Sequence, residues 1–480
     1  MAARRNELSA QAFSRRRTVA AFLRPGGGGN DEDAPRALRA IMPGMVVGAL
    51  AVAGFGGYGL IRPTAPLNWK SANAVIVGRQ STTRYVWLKG ALHPVLNMAS
   101  ARLLLGAGST VVPVDDSVLN SVPHGATLGI PYAPDSLPTV ADAGTPKVWA
   151  YCERASGDDG SGAGGDSAKL FVLGGADSAA VTGAGSLDAR HALYVRGPDG
   201  ATYLVDRDGA SHLLRSGGAT PKSRAAQRLL LATAVFGATV GPPQAVSRAW
   251  LATLRTGDPV SIPLADVSGY GDPTDITVGQ SDARVGDLFQ VKAGSGDLLG
   301  YVVLADGVHK VSPFTFQLLA ALRPGAGVPV VQDTTVLGAN LNSRFEGGKD
   351  WPQATVAQTD GDVLCSVYSG TASASGVPQL ALWAGDSYPV AAGSGTAGVR
   401  VTPGVGLIYR EVTGTGADVG GVNLLTDTGL RCPVQMDGDA EDRLGYGKVD
   451  PLPVVPRPWS RLLSAGPDLN SAAAGRQQGS

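Results

Sequence analysis

Charge is scarce in this sequence and cysteine scarcer: of 480 residues 17% are charged, 6% aromatic, five are histidine and three cysteine. Forty Lys and Arg offset forty Asp and Glu, which leaves no broad basic face to neutralise phosphates and excludes nucleic acid as a partner. His93, His124, His191, His212 and His309 fall without HExxH or any paired spacing, and Cys152, Cys365 and Cys432 without CxxC, so no metal site is expected. Neither GxSxG nor an SxxK set occurs, and no catalytic residue can be named. Gly347-Gly-Lys-Asp and Gly445-Tyr-Gly-Lys-Val contain Gly-Lys but lack the earlier glycine and the following Ser or Thr of a phosphate loop. Asp206-Arg-Asp-Gly and the Asp-rich loop at 157–166 lack the ligand order of an EF-hand.

What is abundant is glycine, 67 residues, and proline, 32, beside 44% hydrophobic residues. That balance predicts many short strands joined by turns around a sizeable core, a β-rich α+β chain.

One stretch stands apart. Ala40 to Ile61 holds no charged residue over 22 positions, and at a rise of about 1.5 Å per residue it spans a hydrocarbon core of roughly 30 Å. A single transmembrane helix over 40–61 is expected. Gly44 and Gly48, with the series Ala49, Ala53 and Gly57, place small residues where another helix can approach; small residues are also simply common in membrane helices, and both readings stand. Arg4, Arg5, Arg15, Arg16, Arg17, Arg24, Arg36 and Arg39 precede the run, while only Arg62 and Lys70 follow closely, which keeps the N-terminus in the cytoplasm. Leu60-Ile-Arg-Pro-Thr-Ala-Pro is no signal-peptidase site, so the segment reads as an anchor in the plasma membrane with the bulk of the chain extracytoplasmic.

Residues 1–39 divide into a basic helix, Ser9 to Arg24, with a stripe of Phe13, Ala20, Ala21 and Leu23, and a flexible linker beginning Pro25-Gly-Gly-Gly-Gly. Outside the membrane oxidising conditions prevail, and Cys152 and Cys365, both in strand-like surroundings, are the pair to join. The enclosed loop would stabilise by roughly 5 kcal/mol. Three free thiols are the alternative, and Cys432 has no assigned role.

A strand run, a turn glycine and a second run recur around Gly90, Gly209, Gly307 and Gly429, each reading as a β-hairpin whose tip needs positive φ. Leu- and Ala-rich stretches beginning at Met98, Ala225 and Phe314 follow the first three as short helices; Glu441-Asp-Arg-Leu-Gly is the shorter fourth. His93, His212 and His309 come just after the repeat glycines, a shared strand position. The expected order is repeat 1 at 72–115, repeat 2 at 185–245, repeat 3 at 246–328 and repeat 4 at 413–450. A central β domain takes 116–172 with 330–412, and a Pro-rich arm takes 451–480. The unequal spacing favours a distorted propeller-like arrangement over a regular solenoid.

Four stretches carry a family likeness: Gln11-Ala-Phe-Ser-Arg-Arg-Arg with Ala21-Phe-Leu-Arg, Val77-Gly-Arg-Gln-Ser-Thr-Thr-Arg84, Tyr85-Val-Trp-Leu-Lys-Gly-Ala-Leu-His-Pro-Val, and the Pro-Trp…Leu-Leu…Gly-Pro-Asp-Leu ending. With them the chain resembles the EccB family, the membrane component of the actinobacterial type VII (ESX) secretion system. The resemblance implies four repeats around a central β domain, one transmembrane helix and an extracytoplasmic disulfide falling on Cys152 and Cys365. It also implies assembly with EccC, EccD and EccE, where EccC is the FtsK-like motor; self-association is left open by the sequence. Family members carry an ATPase label, so ATP is implied by the label alone. A structural core subunit supporting protein export is the reading; an extracytoplasmic ATPase or a cell-wall glycan-binding protein are its alternatives.

Overall fold

The computed structural model describes residues 2–23, 38–61, 65–71, 73–154, 168–215, 220–262, 268–321, 327–331, 337–338, 341–345, 347–371, 377–391, 398–413, 420–435 and 439–479. The chain divides into two compact units, Met1–Thr64 and Ala65–Ser480. The linker beginning at Pro25 and the loop at 157–166 lie outside the described residues.

In the first unit helix α1 spans Ala2–Leu23 and helix α2 spans Leu38–Ile61. Helix α1 begins well before the expected Ser9, because Ala, Arg, Glu and Leu fill its opening turns and all favour helix. The 24 residues of α2 give a length of about 36 Å and enclose Pro43. Among the described residues no helix is long and apolar enough to cross a membrane; within α2 the described side chains cover 42–57.

The second unit is built from sheets that share one local order. The first sheet runs Ala74–Gly78, Arg84–Leu88 and Ala91–Pro94 as an antiparallel meander. Helix α3, Met98–Leu104, follows, and Thr110–Val114 then lies parallel to the opening strand. The second sheet repeats this with His191–Arg196, Thr202–Asp206, Ala210–Leu213, helix α4 at Pro221–Phe236 and the parallel strand Gln244–Ala245. The third has Leu288–Lys292, Leu298–Leu304, Gly307–Lys310, helix α5 at Pro313–Ala320 and Val330–Val331. The fourth has Leu407–Val412, Val422–Leu425, Leu430–Val434, helix α6 at Ala440–Leu444 and Val454–Pro456.

Local chemistry explains this order. Gly90, Gly209 and Gly429 occupy the turn between the second and third strands and Gly307 opens the third strand, at φ of 83°, 71°, 75° and 143° respectively, all in the region that side chains with a Cβ avoid. The helices start where caps allow: Asn97 accepts from Ser100 N, Thr220 from Ser223 N and Ser312 from Thr315 N. Pro221 and Pro313 follow two of these caps, where a missing N–H costs nothing.

The central sheet has the strand order Pro378–Gly385, Val363–Thr371, Val148–Arg154, Ala168–Leu173, Val399–Val401. Both faces are buried, so alternate residues enter different cores. Trp149, Tyr151, Leu364 and Tyr368 face Leu193 and Val205 of the second sheet, Tyr409 of the fourth and Trp250 of the short helix Arg248–Ala252. Ala150, Cys152, Phe171, Val363 and Cys365 line the other side. Cys152 and Cys365 stand directly opposite each other on antiparallel strands and form a disulfide.

Several boundaries differ from the sequence expectation. The second sheet runs past 245, because Arg255–Thr256 pairs with Ala210–Leu213. Residues 330–362 do not join the central sheet: Val330–Val331 pairs with the third sheet and Ala357–Gln358 with the second. Leu407–Val412 opens the fourth sheet rather than closing the central one, so that unit begins before 413 and extends past 450. The region 451–480 is not a free extended arm. Pro456 sits in an edge strand and Pro458 at a helix start, where no ladder N–H is required, and Trp459, Leu463, Leu469 and Ala474 are buried.

Candidate interaction surfaces

The third strands of the four sheets share a register that the topology makes visible. His93 stands opposite Val86, His212 opposite Leu204, His309 opposite Val302 and Cys432 opposite Leu424. A returning segment runs parallel beside each, and its backbone N–H, from Gly125, Gly257, Asn342 or Gly466, donates to the residue just before the His or Cys at 2.8–3.0 Å. The imidazoles complete the clamp: Nδ1 of His93, His212 and His309 donates to the carbonyls of Ala126, Asp258 and Ser343 at 2.9, 2.8 and 2.7 Å. At three of these crossings the backbone comes so near that a Cβ on Gly125, Gly257 or Gly466 would fall 2.1, 2.5 or 2.6 Å from the His93 ring, the His212 ring or the Cys432 Sγ. The histidines are therefore structural clips, as their shared place near a turn implied.

Cys432 fills the histidine position of the fourth sheet, fully buried, and burial pushes its thiol up to about 11. Such a thiol is protonated at neutral pH and poorly nucleophilic.

His212 is the most enclosed of the clips. Burial alone would lower its pKa, but Asp206 with Oδ2 3.5 Å from Nε2, the Asp258 carbonyl and Asp350 together hold it above the ordinary 6.5. A raised folded-state value means that His212 contributes stability in full below its unfolded pKa of about 6.5, and loses it as pH rises through the folded value. His212→Asn keeps an Nδ1-like donor without the titration. The wild-type melting temperature should fall more steeply than that of His212→Asn as pH is raised from about 6 to 8; parallel curves would show that the imidazole stays neutral.

The Gly-Lys sequences resolve into packing devices. Gly347 and Gly348 lie against the Trp351 ring, leaving 2.1–2.2 Å for any Cβ, and Lys349 N donates to Asp258. Gly447 abuts Asp442, while Tyr446 is buried and donates from its hydroxyl to Pro138 O. Asp206 caps its own hairpin, accepting from Asp208 N and Ala210 N.

Among the described residues, two helices carry the exposed apolar surfaces relevant to assembly. On α2 the side chains of Met42, Met45, Val46, Val47, Leu50, Val52 and Phe55 are each more than half exposed. Gly44, Gly48, Ala49 and Ala53 are exposed too, Gly57 is half-buried, and a Cβ at any of the three glycines would meet nothing within 4 Å. On α4 only the last turns, from Leu231, are buried; Ala225, Ala226, Leu229 and Leu230 present an apolar stripe to solvent, Leu229 at 64% exposure.

The second unit is an α+β assembly of open sheets, and the exposed helix α2 belongs to the first unit. Solved structures share the fold. An intact ESX-5 inner membrane complex contains a chain similar at TM-score 0.62 and 23% identity, covering 99% of this chain and 95% of that one. An EccB3 dimer from the ESX-3 core complex is similar at TM-score 0.62 and 24% identity, covering 84% and 100%. Among curated proteins, the ESX-3 secretion system ATPase EccB3 of Mycobacterium tuberculosis is 29% identical over 470 residues, 91% of this chain and 82% of the relative. The ESX-1 secretion system ATPase EccB1 of the same organism is 26% identical over 380 residues, 78% and 73%. The family model for the type VII secretion system ESX-1, transport TM domain B, matches residues 1–480, and the chain belongs to this EccB family. It is a core subunit of the type VII secretion membrane complex.

Proposed function

We propose that the chain is a single-pass scaffold of that complex: α1 in the cytoplasm, α2 across the plasma membrane, and the second unit outside as four pseudo-equivalent sheets around the central one. The observation that carries this reading is α2, whose apolar side chains are exposed on all sides and need either lipid or other helices around them. Its small residues suit close approach by helices of EccC-, EccD- and EccE-type subunits. The α4 stripe suits a second copy of this chain, a reading supported by the similarity to an EccB3 dimer. The energy for export then comes from the motor subunit, and this chain supplies geometry.

Affinity purification from native membranes in mild detergent, with mass spectrometry and particle sizing, tests the proposal. Recovery in a megadalton-scale assembly with an FtsK-like ATPase is expected; recovery alone would overturn it. Removing residues 1–39 should release the chain from the assembly, and Leu229→Asp with Leu230→Asp should halve its mass while leaving its melting temperature unchanged. ATP hydrolysis by the purified chain that persists after rigorous contaminant removal would favour the enzymatic alternative.

A further inference from the structure

Seven tryptophans occur in the chain, and their burial separates them into two groups. Trp149, Trp250, Trp351, Trp383 and Trp459 are all buried, none more than 7% exposed. Trp69 and Trp87 are the two that are only partly buried, and they meet each other edge to face with ring centroids 6.0 Å apart. Lys70 lies over both rings, its Nζ 5.2 Å from the Trp69 centroid and 4.8 Å from that of Trp87. Leu67, two residues before Trp69, is 96% exposed, the most exposed large apolar side chain among the described residues.

The turn carrying these groups is held firmly. Asn68 takes φ 66°, Trp69 N donates to Pro66 O and Ser71 N to Asn68 O. Ala65 and Trp69 pack with Tyr85, Trp87 and Val112 against Ile76 and Leu92 of the first sheet. An exposed leucine on so constrained a turn does not collapse inward, and Lys70 forms no ion pair among the described residues.

The cluster follows α2 closely in the sequence: the helix ends at Ile61 and Leu67 comes six residues later, a spacer that reaches about 20 Å when fully extended. Tryptophan rings and lysine ammonium groups collect at the boundary between acyl chains and headgroups, where an apolar body and a polar tip are both satisfied. We infer that Leu67, Trp69, Lys70 and Trp87 form a lipid-interface seat, with Leu67 and the indoles in the outer boundary of the bilayer and Lys70 on an anionic headgroup. This deepens the single-pass reading and rests on it.

The test uses the full chain reconstituted in vesicles of dioleoylphosphatidylcholine with phosphatidylglycerol, the acyl chains brominated either near the headgroup or near the midplane. Shallow bromines are expected to quench tryptophan emission, and Trp69→Phe/Trp87→Phe to lose that quenching, because the five remaining indoles are buried in protein. Equal quenching of the wild type and the double variant would overturn the inference. Phe55→Trp, placed in α2, separates the two levels of the argument. If deep bromines quench it while the Trp69 and Trp87 component stays unquenched, the anchor stands and the seat is wrong. If deep bromines fail to quench it, the single-pass reading falls and takes the seat with it.

Discussion

Trp459→Ala is expected to lower the stability of the second unit by about 3–5 kcal/mol, the range for emptying a large buried aromatic site. Trp459 is 1% exposed in the core that joins the central, second and fourth sheets, tilted against Tyr368 at 5.7 Å. Its indole N–H donates to Thr253 O at 3.2 Å, so truncation leaves a void and strands a buried carbonyl. Chemical denaturation of the full chain in detergent, followed by near-ultraviolet circular dichroism, measures the loss. Trp459→Phe should retain most of the stability, and Leu67→Ser all of it. A Trp459→Ala protein as stable as wild type would mean that the C-terminal region is an appendage after all.

Cys152→Ser with Cys365→Ser should cost about 2–5 kcal/mol, toward the upper end because the bridge closes a long loop. The two half-cystines are 213 residues apart, and both are 0% exposed. Burial makes the effect conditional on opening: reductant applied to the folded protein and removed before the scan should leave the melting curve unchanged. Reductant present during unfolding and refolding should then shift the midpoint as the double variant does. An unshifted midpoint in both experiments would show that strand pairing alone carries this sheet.

The hairpins were legible in the sequence because a glycine at positive φ leaves a mark at fixed distance from alternating apolar residues. Gly90, Gly209, Gly307 and Gly429 show this, and their following helices announced themselves by Leu and Ala content. What stayed hidden was much of the pairing at the sheet edges, because Val330–Val331, Gln244–Ala245 and Ser464–Ala465 are two-residue strands with no periodicity of their own. The boundary error at 330–362 follows from that, whereas Leu407–Val412 is a strand whose sheet its own sequence does not specify. Cys432 was readable in principle: it comes three residues after Gly429, as His93 and His212 come three after Gly90 and Gly209. Gly307 is followed by its histidine after two, and that shift together with the change of residue type concealed the fourth member. The C-terminal region misled because proline content argues against helix and interior strand but says nothing of edge strands, while Trp459 could not be assigned to a core whose other members lie hundreds of residues earlier.

The first and last sheets are fastened by a reciprocal pair of arginines. Arg102, on α3, donates to Leu444 O at the end of α6, and Arg443, on α6, donates to Leu103 O and Leu105 O at the end of α3. Gln478 bonds the backbone at Thr127 and Gly129 in the same neighbourhood. These links set an order in time. A chain synthesised from its N-terminus presents the first sheet early, with the apolar surface of Ala99 and Leu103 bare until the partners on α6 arrive. The domain therefore matures only when its final residues have emerged, and an interrupted chain keeps that surface open to proteases and to wrong neighbours.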